Sequence, residues 1–193
     1  MLRFLLCFFF IFSFSASAQG NALFTFAVLK TSKGDIRLKL YKKEAPQTVE
    51  NFVGLATGTK QFRDIKTGKK IKDTVFYKDM HFHKVHPDLG IQAGCPWGTG
   101  KGWPGYTLKA EKNELKFDQP YLIAMSKING NDNSVGSQFF ITTKIAPHLN
   151  KDYTVFGEVI DGKKVVDAIS RVSRDAMMKP LKSIMLKEVI IEP

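Results

Sequence analysis

The run Gly136-Ser137-Gln138-Phe139-Phe140-Ile141 sets a carboxamide beside two phenylalanine rings on what reads as one strand. Successive strand side chains point to opposite faces. Gln138 and Phe140 therefore share one face, and Phe139 and Ile141 share the other. One face can be core, and the other a shallow apolar pocket with a hydrogen-bonding amide beside it. Such a surface suits an extended peptide carrying a ring-shaped apolar residue, proline being the plainest case. A second group of chemistry-bearing residues is His81, His83 and His86, spaced H-x-H-x-x-H. His81 and His83 fall on one face of a strand, a spacing found among metal ligands. The block from Gly94 to Gly102 is glycine-rich, but it lacks the strand–helix context and the terminal Lys-Ser/Thr of a phosphate loop.

The 193 residues, 44% of them hydrophobic, are enough for one globular domain with a sizeable core. The start of the chain does not belong to that domain. Arg3 precedes an apolar run from Phe4 to Phe14, too short to span a membrane and of the length of a signal-peptide core. Ala16-Ser17-Ala18 then provides the small residues that a signal peptidase reads. Cleavage is expected after Ala18, leaving residues 19–193 as one domain in a periplasmic or secreted location; the alternative is an uncleaved membrane anchor. Cleavage removes Cys7 and leaves Cys95 without an intramolecular partner, so Cys95 reads as buried packing rather than a reactive thiol. The net charge of +11 is concentrated between Lys60 and Lys72, where Lys60, Arg63, Lys66, Lys69, Lys70 and Lys72 face Asp64. This run reads as a solvated basic loop, with attraction to an acidic partner, anionic lipid or nucleic acid as the alternative. Export argues against a nucleic-acid partner.

The elements that must position these residues are short. Leu23 to Thr31 alternates as a strand, Ser32-Lys33-Gly34 turns, and Asp35 to Tyr41 returns, which predicts a hairpin. Pro46 suits a helix's first turn, Val49, Phe52, Val53 and Ala56 recur at helical spacing, and Gly58 offers a stop. The Lys60–Asp73 stretch is a polar excursion with a turn at Thr67-Gly68. Short strands are expected around Phe82, Ile91, Leu122 and Phe139. A turn at Asp161-Gly162 leads into a helix through Val165, Val166 and Ile169, and Met185 to Ile191 closes the domain as a strand. Many short strands with a helix near each end predict a mainly β fold, a closed barrel capped by two helices.

The stretch around Gln138 resembles the signature of the cyclophilins, the cyclosporin-binding family of peptidyl-prolyl isomerases. Phe82-His83-Lys84-Val85 leading to Ile91-Gln92-Ala93-Gly94, Val155-Phe156-Gly157-Glu158-Val159, and Ala45-Pro46-Gln47-Thr48-Val49-Glu50-Asn51-Phe52 extend the resemblance, in the same order, from about Phe24 to Ile191. It implies a closed antiparallel barrel of eight strands capped by two α-helices, with the pocket on the barrel's outer wall. It also implies a structural role for His83 and a shaping role for the Gly94–Gly102 loop. The family's catalytic arginine position holds Lys84. Leu89 and Gly90 stand where phenylalanine and methionine are usual. Gln92 matches the binding glutamine, and Gln138 and Phe140 match the groove-lining amide and the pocket floor. His148 occupies the tryptophan position of cyclosporin-sensitive members, which implies weak cyclosporin binding. Leu149 matches the adjacent leucine, and Tyr153 sits where histidine or tyrosine is typical. Ser126 and Lys127 belong to the altered segment Ser126-Lys127-Ile128-Asn129, which would contact the peptide backbone.

The implied reaction is rotation about X-Pro amides of unfolded or partly folded exported proteins, without cofactor or metal, by a monomer. The exchange of arginine for Lys84 and the loss of bulk at Leu89 and Gly90 imply reduced efficiency. Two other readings stand beside it: a non-catalytic module that holds proline-containing segments, and a secreted metal binder using the three histidines.

Overall fold

A computed structural model of the chain describes residues 24–128, 130 and 132–192. The expected signal peptide 1–18 and its cleavage point lie outside the described residues, as do Leu23 and Asn129. The expected first hairpin is present: β1 (Phe24–Thr31) and β2 (Gly34–Tyr41) pair antiparallel from Phe24↔Tyr41 to Thr31↔Gly34. Strict alternation buries Leu29, Ile36, Leu38 and Leu40 on the inner face. Each such side chain contributes roughly 1.5–3 kcal/mol when removed from water.

Helix α1 (Pro46–Thr57) starts at the predicted proline and stops at Gly58, whose φ of 79° is left-handed. Its buried stripe includes Val49, Phe52 and Leu55, and it packs on β2 and on the last strand of the chain. Ala45 gives this helix no side-chain cap. A distant residue supplies one: the Glu111 carboxylate accepts the Gln47 N–H at 3.2 Å, the Thr48 N–H at 2.9 Å and the Thr48 hydroxyl at 2.9 Å. The negative group also faces the positive end of the helix dipole. The polar excursion that follows folds as a separate ribbon, β3 (Phe62–Arg63) against β4 (Lys70–Ile71).

The remaining strands are β5 (Met80–His81), β6 (Lys84–His86), β7 (Gly90–Ala93), β8 (Leu122–Lys127), β9 (Val135–Thr142), β10 (Val155–Asp161) and β11 (Met185–Glu192). Helix α2 (Lys163–Ser170) lies between the last two and packs on β2, β6 and β7, burying Val166 and Ile169. The main sheet is antiparallel with the order β5-β11-β1-β2-β10-β8-β9-β7-β6, nine strands rather than the eight expected. The difference has a simple cause. β5 and β6 stand at opposite edges of the sheet, yet only Phe82 and His83 separate them. The Phe82 N–H donates to the Ile184 carbonyl next to β11, and the His83 N–H donates to the Gln92 carbonyl in β7. One run of chain, Met80 to His86, therefore serves both edges, and the sheet curls back on itself through a covalent bend.

The strand expected around Phe82 is thus broken at Phe82. Inside the curl, the Phe52 ring lies 5.1–5.6 Å from those of Tyr77, Phe139 and Phe156, so α1 is anchored to the same core as β9 and β10. Among the described residues no helix is long and apolar enough to cross a membrane.

Because Glu111 is the side-chain cap that α1 finds among the described residues, Glu111→Ala should lower the unfolding free energy by about 1 kcal/mol. Urea titration of the two proteins checks this; an unchanged midpoint would mean that the helix end is satisfied by solvent.

Candidate active site

Three adjacent strands place the candidate residues in one row. Lys84 in β6 is directly opposite Gln92 in β7, and Gln92 is opposite Phe140 in β9. Residues paired across neighbouring strands share a face, so an ammonium, a carboxamide and a phenyl ring emerge side by side on the outer wall. The next row, Val85, Ile91, Ile141 and Ile123, faces inward and is buried. Lys84 is exposed, while Gln92 and Phe140 are half-buried.

Beside this row lies a cavity of about 110 Å³, room for one small ring. Seven of the residues predicted from the sequence line it: Lys84, Leu89, Gln92, Ser126, Phe140, Leu149 and Tyr153. The Phe140 ring is held on two sides, stacked on buried Phe117 with centroids 6.0 Å apart and met edge-on by Tyr153 at 5.2 Å. Phe117, Leu122, Ala124, Ala146 and Val155 form a small apolar cluster under this wall, separate from the barrel core. Phe117 escaped the sequence reading because it sits in an irregular loop, where no periodicity marks a buried position.

Gln138 lies behind the wall and does not line the cavity. Its Nε2 donates to the carbonyls of Gly100 and Gly102, both at 2.8 Å, which fixes the orientation of the amide. Its Oε1 accepts from Gln92 Nε2 at 3.0 Å, and Gln92 also donates to Ser126 Oγ at 3.0 Å. Among the described residues, Gln92 Oε1 then has no protein donor. The carboxamide at 138 thus braces the Gly94–Gly102 loop and aims the carboxamide at 92.

Lys127 is also committed to the protein. Its side chain is 8% exposed, its Nζ lies 2.7 Å from Asp132 Oδ1, and it sits over the Tyr153 ring at 5.3 Å. Lys112 meets the other oxygen of Asp132 at 2.9 Å, and hydrogen bonds from Lys127 and Lys112 hold this carboxyl down to about 2. His148 is exposed in the 3-10 turn Pro147–Leu149, outside the cavity lining. The missing side chain at Gly90 has a backbone cause: its φ is 150°, and a Cβ there would lie 2.1 Å from the Ile141 carbonyl oxygen.

The three clustered histidines diverge. The expectation that His81 and His83 share a strand face is corrected by the bend, since Phe82 and His83 are both buried and the alternation changes phase between them. His81 is exposed and pairs through Nδ1 with Ser183 Oγ at 2.8 Å. His86 lines the cavity beside Lys84, and its Nδ1 accepts the Asp88 N–H at 3.1 Å, which puts the proton of a neutral ring on Nε2. His86, spaced in the sequence like a metal ligand, belongs instead to the groove wall. Among the described residues no three His, Cys, Asp or Glu side chains converge as a metal site.

Comparison with known proteins follows the same line. The family model described as "Cyclophilin type peptidyl-prolyl cis-trans isomerase/CLD" matches residues 26–191. The chain belongs to the cyclophilin family. Its relatives include peptidyl-prolyl cis-trans isomerase A of Mycobacterium tuberculosis, 44% identical over 86% of this chain and 91% of that protein. Another is peptidyl-prolyl cis-trans isomerase B of Streptomyces anulatus, 42% identical over 86% and 96%. A crystal structure of a Cryptosporidium parvum cyclophilin type peptidyl-prolyl cis-trans isomerase superposes with a TM-score of 0.75 at 31% identity, covering 88% of this chain and 98% of the other. A structure of the same parasite protein in the presence of the dipeptide Ala-Pro gives 0.75 at 30%, covering 87% and 99%.

In this cyclophilin, His83 ties stability to pH. The ring is 7% exposed, and among the described residues neither nitrogen has a hydrogen-bond partner within normal geometry. Burial pushes its pKa down to about 4, against the weaker opposing pull of the His81 backbone and the Gln138 amide nearby. The unfolded chain takes up this proton near pH 6.5 and the folded one near 4. The associated stability is therefore complete above about pH 6.5 and is lost as pH falls toward 4, a span worth about 2–3 kcal/mol. Urea unfolding at several pH values should show the native protein losing more stability across this window than His83→Gln. Parallel pH profiles would remove His83 as the source.

Proposed function

We propose that this cyclophilin catalyses cis–trans isomerisation of X-Pro bonds with Lys84 as its electrostatic element. It acts as a monomer on unfolded or partly folded exported proteins, in the periplasm or another secretory space. The observation that carries the catalytic reading is the cross-strand row of Lys84, Gln92 and Phe140 opening on a ring-sized cavity.

The uncatalysed rotation crosses a barrier of roughly 18–20 kcal/mol, because amide resonance is lost as the bond twists. No covalent bond is made or broken, so no nucleophile is required. Acceleration comes from holding the twisted amide more tightly than the planar one. In the proposed complex the prolyl ring rests on Phe140 between Leu89, Leu149 and Tyr153. Gln92 Oε1 is the acceptor available for a substrate N–H, because Gln138 occupies the amide's other end. Lys84 makes no ion pair among the described residues, so its ammonium is available to the pyramidalised prolyl nitrogen or the rotating carbonyl. The Ala-Pro dipeptide present with the parasite relative is the same chemistry in miniature.

A thousandfold acceleration requires about 4 kcal/mol of this preference. A lysine delivers less of it than an arginine, being a hydrated point charge without a planar fork of donors. In exchange NMR on a short Ala-Pro peptide, Lys84→Ala should lower the catalysed rate at least about tenfold, and Lys84→Arg should raise it. Exchange unaffected by Lys84→Ala would remove the ammonium from the mechanism. Exchange present only in Lys84→Arg would make the native protein a holding module for proline-containing segments.

Export rests on Arg3, the Phe4–Phe14 run and the small residues before Gln19. The full chain produced in a bacterial host should have an intact mass beginning at Gln19. A mass that retains the first eighteen residues would overturn the proposed location and leave the isomerase reading untouched.

A further inference from the structure

The basic ribbon β3–β4 does not stand free in solvent. The Arg63 N–H donates to the Pro104 carbonyl at 2.9 Å, and Gly105 passes so close that a Cβ there would lie 2.5 Å from the Arg63 Cβ. The ribbon is thereby docked on the loop that continues from the glycine-rich block. Between ribbon and loop lies a second cavity of about 270 Å³, with no lining residue in common with the first. Phe62, Ile71 and Phe76 form one side, and Pro96, Trp97 and Trp103 the other. The Trp97 and Trp103 centroids are 6.3 Å apart, and the half-exposed indoles leave an aromatic slot.

The mouth of this slot is cationic. Arg63 and Lys66 line it, and Lys66 Nζ lies over the Trp97 ring at 5.2 Å. Within residues 60–72 there are six cations and one acid, Asp64. That acid also lines the cavity, and its carboxylate accepts the Lys66 N–H at 2.8 Å and the Thr67 N–H at 3.2 Å, which leaves the ribbon cationic on balance. Among the described residues, the Arg63 guanidinium commits one N–H, to the Gly68 carbonyl. An apolar slot rimmed by Arg63 and Lys66, which make no ion pair among the described residues, calls for an apolar group flanked by carboxylates. A bare phosphate polymer would leave the aromatic walls unused, and a neutral apolar residue would leave the rim unused.

We propose that this cavity binds an acidic polypeptide segment carrying one bulky apolar side chain. The apolar side chain enters between Trp97 and Trp103, and the neighbouring carboxylates meet Lys66 and Arg63. This site is independent of the isomerase reading, because it shares no residue with the proline cavity.

The chain contains two tryptophans and both line this slot, so tryptophan emission reports on it selectively. The full chain is titrated with a capped, proline-free peptide of sequence Asp-Glu-Phe-Glu-Asp. A saturable emission change is expected. Affinity should fall about tenfold in Lys66→Glu, since the exchange reverses a charge at the rim. It should also fall when salt is raised from ~20 mM to ~300 mM, a control that needs no variant. Exchange on the Ala-Pro peptide should be the same in Lys66→Glu as in the native protein. The proposal is overturned by the absence of a saturable response, by equal binding of a Lys-Lys-Phe-Lys-Lys peptide, or by affinity indifferent to both Lys66→Glu and salt. Tighter binding of anionic phospholipid vesicles or of a single-stranded oligonucleotide than of the acidic peptide overturns it as well.

Discussion

Two residues, Phe82 and His83, carry the chain from one edge of the sheet to the other, and the rest of the structure depends on that crossing. A sheet with two open edges exposes unpaired N–H and C=O groups. Here both edges belong to the run Met80 to His86, so the backbone groups at the bend pair with Ile184 on one side and Gln92 on the other. Two consecutive buried residues are required to turn the corner, and they change the phase of the alternation. That change is what sends Lys84 outward, in register with Gln92 and Phe140, while Val85 points into the core. The buried imidazole at His83, with no hydrogen-bond partner for either nitrogen among the described residues, is a cost of the same turn.

The wall so formed has two separate apolar supports. Inside, Phe139 and Ile141 join the aromatic core around Phe52 and Tyr77. Outside, Phe117 and Tyr153 clasp Phe140 over a smaller cluster of their own. A strand with Phe139 in the core on one face and half-buried Phe140 on the other holds its register strongly, because a slip of one residue would exchange the two rings. The polar groups between the two supports are likewise spoken for: Gln138 braces the loop through Gly100 and Gly102, and Lys127 is drawn to Asp132 and Tyr153. Tyr77 donates to the Ser137 carbonyl and Ser137 to that of Gly94, so strand and loop are tied to the same core.

The loop that Gln138 holds has a second side. Trp97 and Trp103 line the cavity beside the basic ribbon and not the proline cavity, which places an unlike surface on the far flank of this segment. Charge on the ribbon reads as solvation when only the sequence is considered. Its docking against the indoles is invisible there, because Arg63 and Pro104 are far apart along the chain and their contact is a backbone hydrogen bond that no side-chain pattern announces.

Local order wrote much of the fold directly into the sequence. The β1–β2 hairpin follows from alternation across a short turn, α1 from Pro46, its apolar spacing and Gly58, and the two faces of β9 from Gln138 to Ile141, because each depends on neighbours within a few residues. The same holds for the row of candidate groups, whose residue types were legible from the family's motifs. What tertiary structure decided is which of those groups are free. Gln138 and Lys127 have the chemistry to bind a substrate, but the folded chain already occupies them, the first with the Gly100 and Gly102 carbonyls and the second with Asp132 and Tyr153. His86 reaches the groove wall, and Glu111 caps a helix more than sixty residues before it. A side chain's availability depends on everything that folds around it, and a pattern of residue types records only what it could do.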